Sequence, residues 1–284
     1  MTIAYAYGPN PWPQSFWDAR AAANFVCGGA GAGLVVAAAL SGARGTALVV
    51  PLLAGLAIVA CGLAAVFAEI GRPLRAANVV RNPATSWMTR EAIVAPLLFA
   101  CGVAGAFGSL AFVATAAALA LAFVYCQGRM VHAARGIPAW RAPQVPWLFV
   151  ATGMAEGLGL WLALAAFLEL RSARVAGWLG VAIIARYVIF RIYRRGLGRA
   201  LAAAPARALD AAGRALLWGG TLAPLVLLAI AAAVRTQPWA PWLLLAAGLC
   251  AALFGAWLKA TLVLRAGHTQ GYTLPALPVR GTRA

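Results

Sequence analysis

The feature that most constrains this chain is a succession of apolar segments, each long enough to cross a lipid bilayer and set almost end to end. A helix rises about 1.5 Å per residue, so about 20 apolar residues cover the hydrocarbon core. Eight segments meet that length, at about 20–41, 46–68, 91–107, 110–127, 146–168, 174–192, 214–234 and 240–262. The third and fourth come from one uncharged stretch, Ala92 to Gln127, which makes two crossings only if Gly105-Ala-Phe-Gly108-Ser109 turns tightly. Composition agrees: 64% of residues are hydrophobic and only 10% charged, against about a quarter charged in soluble domains. The expected fold is therefore all-α, an integral membrane bundle of eight transmembrane helices. A single polytopic domain then occupies residues 1–284.

The first span is not expected to be a cleaved signal peptide. Its flank, Pro9 to Asp18, carries no basic stretch and no clear small-residue cleavage site. Trp12, Phe16 and Trp17 in that flank are expected at headgroup level as interfacial anchors.

Charge is lopsided, with 23 Lys and Arg against 6 Asp and Glu, a formal net charge of +17. In a soluble protein this would suggest nucleic acid; here the basic residues lie between apolar runs, so the partner they imply is the membrane surface. Arg72, Arg75, Arg81 and Arg90 follow span 2, Arg129, Arg135 and Arg141 follow span 4, and a run from Arg191 to Arg214 follows span 6. The alternate loops hold only Arg44, Arg171, Arg174 and Arg235. Lys and Arg concentrate on cytoplasmic loops, so both termini are expected in the cytoplasm. Arg194 to Arg214 suggests a short interfacial helix, interrupted by Pro205.

Redox metals find little to hold them. The two His, His132 and His268, lie near span ends rather than facing one another as haem ligands would. The five Cys show no C-x-x-C spacing, whereas an iron–sulfur cluster wants about four converging thiolates. No haem, iron–sulfur cluster or molybdenum is expected in this chain. The Gly-rich run Cys27 to Gly33 lies inside an apolar span, where Gly29-x-x-x-Gly33 suits close helix packing.

Ionisable groups in or beside the spans are costly and tend to mark function. Glu69 ends span 2, where a helix C-terminus disfavours a carboxylate, so it needs a proton or a partner such as Arg72 or Arg75. Glu91 opens span 3, where the dipole favours it and Thr89 is a possible N-cap. Glu156 lies midway along span 5, with Arg186 in span 6 and Lys259 in span 8 as possible counter-ions.

The segment Phe67-Ala-Glu-Ile-Gly71-Arg-Pro73-Leu-Arg-Ala76, followed by Ser86-Trp-Met-Thr-Arg-Glu91, resembles the membrane anchor (C subunit) family of dimethyl sulfoxide reductases. That family shows His-Leu-Gly-x-Pro-x-Arg-Ala, then Ser-x-Leu-Ser-x-Glu at the start of the next helix. The opening Tyr7 to Trp12, with Trp17 to Asn24, is similar to the branch associated with phenylacetyl-CoA:acceptor oxidoreductase. The resemblance implies an inner-membrane anchor of bacterial molybdoenzyme complexes that reacts with menaquinol or ubiquinol. It would hold an iron–sulfur subunit and a molybdopterin catalytic subunit, on the cytoplasmic side if the basic loops face inward. The family's quinol-linked Glu maps onto Glu91, and its His falls at Glu69, a departure that alters the proton-handling group. The residues themselves are compatible: Glu69 and Glu91 offer proton acceptors at facing span ends, and Arg72 and Arg75 can stabilise developing negative charge. The alternative is a proton- or ion-coupled transporter whose pathway is lined by Glu156, Arg186 and Lys259.

Overall fold

The computed structural model describes residues 8, 10–68, 78–170, 173–198 and 200–271. Among them, eight helices are long and apolar enough to cross a membrane. They are α1 (Ala19–Ser41), α2 (Thr46–Phe67), α3 (Trp87–Ala106), α4 (Leu110–Ala133), α5 (Val145–Phe167), α6 (Ala173–Leu197), α7 (Ala203–Ala233) and α8 (Ala240–Arg265).

The ends of these helices are written in local chemistry. Asp18 caps α1, its carboxylate accepting from the backbone N–H of Arg20 at 2.7 Å. The Arg20 side chain joins the same carboxylate, and together these bonds hold the Asp18 carboxyl below its usual range. At the other end Gly42 terminates α1 at φ 70°, a left-handed conformation glycine takes without cost. Gly108, at φ 99°, makes the tight turn that separates α3 from α4, so the long uncharged stretch does cross twice.

One boundary differs markedly from expectation. α7 begins at Ala203, well before the residue 214 that hydropathy indicated, and Pro205 does not interrupt it. Pro205 is the third residue of the helix, where the missing N–H has no intrahelical partner to lose. The helix then passes through a π turn at Trp218–Leu222 and continues to Ala233. A second π turn, Thr261–Arg265, ends α8.

Small residues decide which helix sits at the centre. α1 packs against α2, α4, α5 and α8, and most of its length is buried. A Cβ at Gly33 would fall on the Gly153 carbonyl of α5, and one at Gly157 would fall on the Gly33 backbone. The Gly29-x-x-x-Gly33 contact expected from sequence is thus made with Gly153 and Gly157. Gly31 meets Gly55 of α2 in the same way. Outward positions carry large apolar side chains instead: Phe107 is 88% exposed and Phe167 and Leu253 67%. Such surface suits lipid, not water.

Each helix runs opposite to the one before, so the starts of α1, α3, α5 and α7 share one end of the bundle. At that end the two terminal segments pair side by side. Gln14 donates its backbone N–H to the Gly267 carbonyl at 2.8 Å, and Thr269 donates to the Trp12 carbonyl at 2.9 Å. The same end carries Arg81, Arg90, Arg129, Arg135, Arg141 and the arginines of the α6–α7 junction.

Candidate functional site

Glu91 sits one turn deeper into α3 than the sequence suggested. Ser86 is the cap, its hydroxyl accepting from the Thr89 N–H at 3.2 Å. Thr89 is therefore not the N-cap; its hydroxyl donates to the Val79 carbonyl. With the helix starting at Trp87, Glu91, Ala95, Leu98 and Gly102 fall on one face at spacings of three and four. That face is buried, and Glu91 is only 6% exposed.

Glu91 meets two amides inside the bundle. The side chains of Asn24 on α1 and Gln127 on α4 face its carboxyl. Gln127 also donates to the Asn24 carbonyl at 3.3 Å. Three acceptor oxygens, Glu91 Oε1, Asn24 Oδ1 and Gln127 Oε1, are buried with no hydrogen-bond partner. Such atoms are expensive to leave unpaired, so the cluster favours a hydrogen-bond donor placed against it.

A cavity of about 480 Å³ opens beside this cluster. Glu91 and Asn24 are its polar groups; Phe16, Trp17, Phe25, Leu63, Phe67 and Met88 give it apolar walls. Its aromatic side is braced, since Trp17 lies 5.3 Å from Phe25 and stacks on Trp140 at 4.8 Å, 21° from parallel. Trp17 is therefore part of the cavity wall, and Phe16 is 80% exposed at the rim. Just outside, Trp87 lies under two guanidinium groups, those of Arg90 at 4.0 Å and Arg129 at 4.6 Å. A mostly apolar pocket with few convergent polar groups is the usual form of a small-molecule site.

Glu69, Arg72 and Arg75 lie outside the described residues. Phe67 and Val79, which flank that stretch on either side, both line the cavity.

The mid-span ionisable residues come together elsewhere. Glu156 Oε2 pairs with Lys259 Nζ at 2.5 Å, and both side chains are buried. Lys259 spends its other donors on the carbonyls of Phe25 and Val26, at 2.8 and 3.2 Å. Arg186 donates to the Ala251 carbonyl at 2.8 Å and to the Gly220 carbonyl at 2.5 Å, the latter within the π turn of α7. Of the two expected counter-ions, Lys259 is the direct one. Arg186 and Glu156 approach the same face of Gly255, where a side chain would strike both.

Sequence reasoning reached Glu91 and the Glu156 group but missed Asn24, Gln127 and Phe25. An amide inside an apolar run is the one signal that would have pointed to Asn24 and Gln127, since each breaks its helix's apolar pattern.

The family model of the DMSO reductase anchor subunit (DmsC) matches residues 30–204. No curated protein matches the chain.

Proposed function

The chain belongs to the DMSO reductase anchor subunit family, and from that premise we propose that it oxidises a membrane quinol at the Glu91 cavity on behalf of its complex. It is a membrane anchor subunit of an oxidoreductase complex of the dimethyl sulfoxide reductase type. In the proposed arrangement an iron–sulfur subunit docks on the Arg-rich end and passes electrons to a molybdopterin catalytic subunit. Positive charge at that end suits an acidic docking face.

Quinol oxidation releases two electrons and two protons, so a site needs an apolar slot for the ring and polar acceptors for the hydroxyl hydrogens. The observation that carries the reading is the trio of partnerless buried oxygens on Glu91, Asn24 and Gln127 beside an aromatic-walled cavity. A quinol hydroxyl is the donor such a cluster lacks. The Glu91 carboxylate takes the two protons one after the other, releasing the first before it accepts the second, as the two electrons pass to the docked iron–sulfur subunit, while Asn24 and Gln127 orient the carboxyl. Glu69 is proposed to receive each proton from Glu91, and Arg72 and Arg75 to balance the charge; Phe67 and Val79, on either side of their segment, line the cavity. The Glu156–Lys259–Arg186 group is read as structural rather than as a transport pathway, since Lys259 and two of the Arg186 nitrogens donate to carbonyls of neighbouring helices.

Replacing Glu91 with Gln tests this in the assembled complex. Positioned proton transfer contributes about a hundredfold or more to rate, so quinol-coupled turnover should fall by at least that factor. Turnover driven by an artificial dye donor, which bypasses the membrane subunit, should stay unchanged. Unaltered quinol turnover in the variant removes Glu91 from the reaction.

A further inference from the structure

Away from the cavity, the last two turns of α6 and the first half of α7 enclose a cleft of about 530 Å³ that the quinol reaction does not use. Its floor is apolar, made by Phe190, Leu209 and Leu217. Gly213 makes that floor possible, because a Cβ there would lie 2.6 Å from the Phe190 ring. Its rim is basic: Arg191, Arg194 and Arg195 come from α6 and Arg214 from α7. The only acid in the lining is Asp210, which takes Arg194 in a two-pronged pair at 2.8 and 3.1 Å. Four guanidinium groups against one carboxylate leave three positive charges at one opening. Arg191 is held in place by Tyr187, whose hydroxyl accepts from it at 2.9 Å. Arg195 and Arg214 have no side-chain partner among the described residues.

Depth identifies what such a cleft meets. α7 has 31 residues, so it is about 46 Å long at roughly 1.5 Å per residue, well beyond the roughly 30 Å of hydrocarbon. Its early turns, with Asp210 and Arg214, must therefore stand among the headgroups. Trp218, 66% exposed one turn further along, marks the boundary where indole rings settle. Val188 and Ile192 of α6, 47% and 50% exposed, face outward beside the cleft. A soluble partner covering the opening would leave those side chains in water or against a polar surface, whereas acyl chains cover them naturally.

The geometry points to a binding site for the phosphate of an anionic phospholipid, of the phosphatidylglycerol or cardiolipin class, held between α6 and α7. The guanidinium groups of Arg191, Arg195 and Arg214 bind the phosphodiester oxygens, and the acyl chains run down past Phe190 and Leu217. Basic pockets between transmembrane helices at a membrane edge recognise such headgroups.

The test uses the detergent-purified complex, stripped of loose lipid and titrated with cardiolipin under native mass spectrometry, with phosphatidylcholine and inorganic phosphate as comparison probes. Wild type should retain cardiolipin far better than phosphatidylcholine, and inorganic phosphate should not displace it at matched concentration. Each basic residue near a charged headgroup is worth about 1 kcal/mol, about a fivefold change, so an Arg191→Gln/Arg195→Gln/Arg214→Gln variant should bind cardiolipin on the order of a hundredfold more weakly. Asp210→Asn frees Arg194 and should instead tighten binding, an opposite movement that mere damage to the fold would not give. Equal retention of cardiolipin by wild type and the triple variant overturns the site. So does loss of a protein subunit from the complex in that variant with lipid retention intact, which would make an acidic protein face the occupant. Neither result depends on quinol turnover, so this site and the Glu91 reading fail separately.

Discussion

At the scale of single residues, two carboxylates in similar helices have different surroundings, and the roles proposed for them follow that difference. Glu156 has a cation at 2.5 Å and is enclosed by neighbouring backbone; Glu91 has only amides facing it and a cavity alongside. A closed pair holds the fold together, and an open carboxyl can exchange protons with a ligand. Breaking a buried pair from one side leaves an uncompensated charge and costs about 3–5 kcal/mol, while removing both partners is far milder. Lys259→Met should therefore lower the melting temperature of the detergent-solubilised complex sharply, and Lys259→Met/Glu156→Gln should recover most of the loss. A double variant no more stable than the single one would mean that the pair is not what these residues contribute. Both carboxylates stood out in the sequence, because an ionised group in an apolar run is conspicuous. Asn24 and Gln127 only break the apolar pattern of their helices; what they do lies in meeting Glu91 from α1 and α4, which no local pattern encodes.

At the scale of elements, the existence of the helices was legible and their ends were less so. Apolar length located all eight. It misplaced the start of α7 because Arg207, Asp210 and Arg214 lower the hydropathy of a segment that is nonetheless helical. The π turns at Trp218–Leu222 and Thr261–Arg265 left no sequence trace; the first offers the Gly220 carbonyl to Arg186. The glycines of α1 announced a close contact without saying which helix would make it. The partner is α5, through Gly153 and Gly157. Because backbone, not a movable side chain, fills the space where a Cβ would go, Gly157→Ala must push α1 and α5 apart. Overpacking of this kind costs about 1–3 kcal/mol, so assembled complex should be recovered in lower yield and melt earlier. Gly177→Ala, at a position with nothing within 4 Å, serves as the control and should behave as wild type. Equal behaviour of the two variants would show that the α1–α5 contact yields without cost.

At the scale of the whole molecule, charge and site coincide. The paired terminal segments, the Glu91 cavity and the α6–α7 cleft all belong to the end where the described arginines crowd. The described arginines at the opposite end are Arg44, Arg174 and Arg235. Because Lys and Arg beside short loops bias a membrane protein's orientation, the crowded end is expected to face the cytoplasm. In the proposed arrangement the cavity then lies a short way beneath that surface, and the electron-accepting partner docks there. Reporter fusions decide the orientation directly. A fluorescent protein attached after Ala284 should fold and fluoresce in the cytoplasm, and alkaline phosphatase inserted after Arg44 should be active outside it. The reverse pattern would put the cavity's nearest face on the outer side of the membrane. An electron-accepting subunit would then have to be exported before it could reach the cavity, and the basic end would no longer be explained by the anionic lipids of the cytoplasmic leaflet.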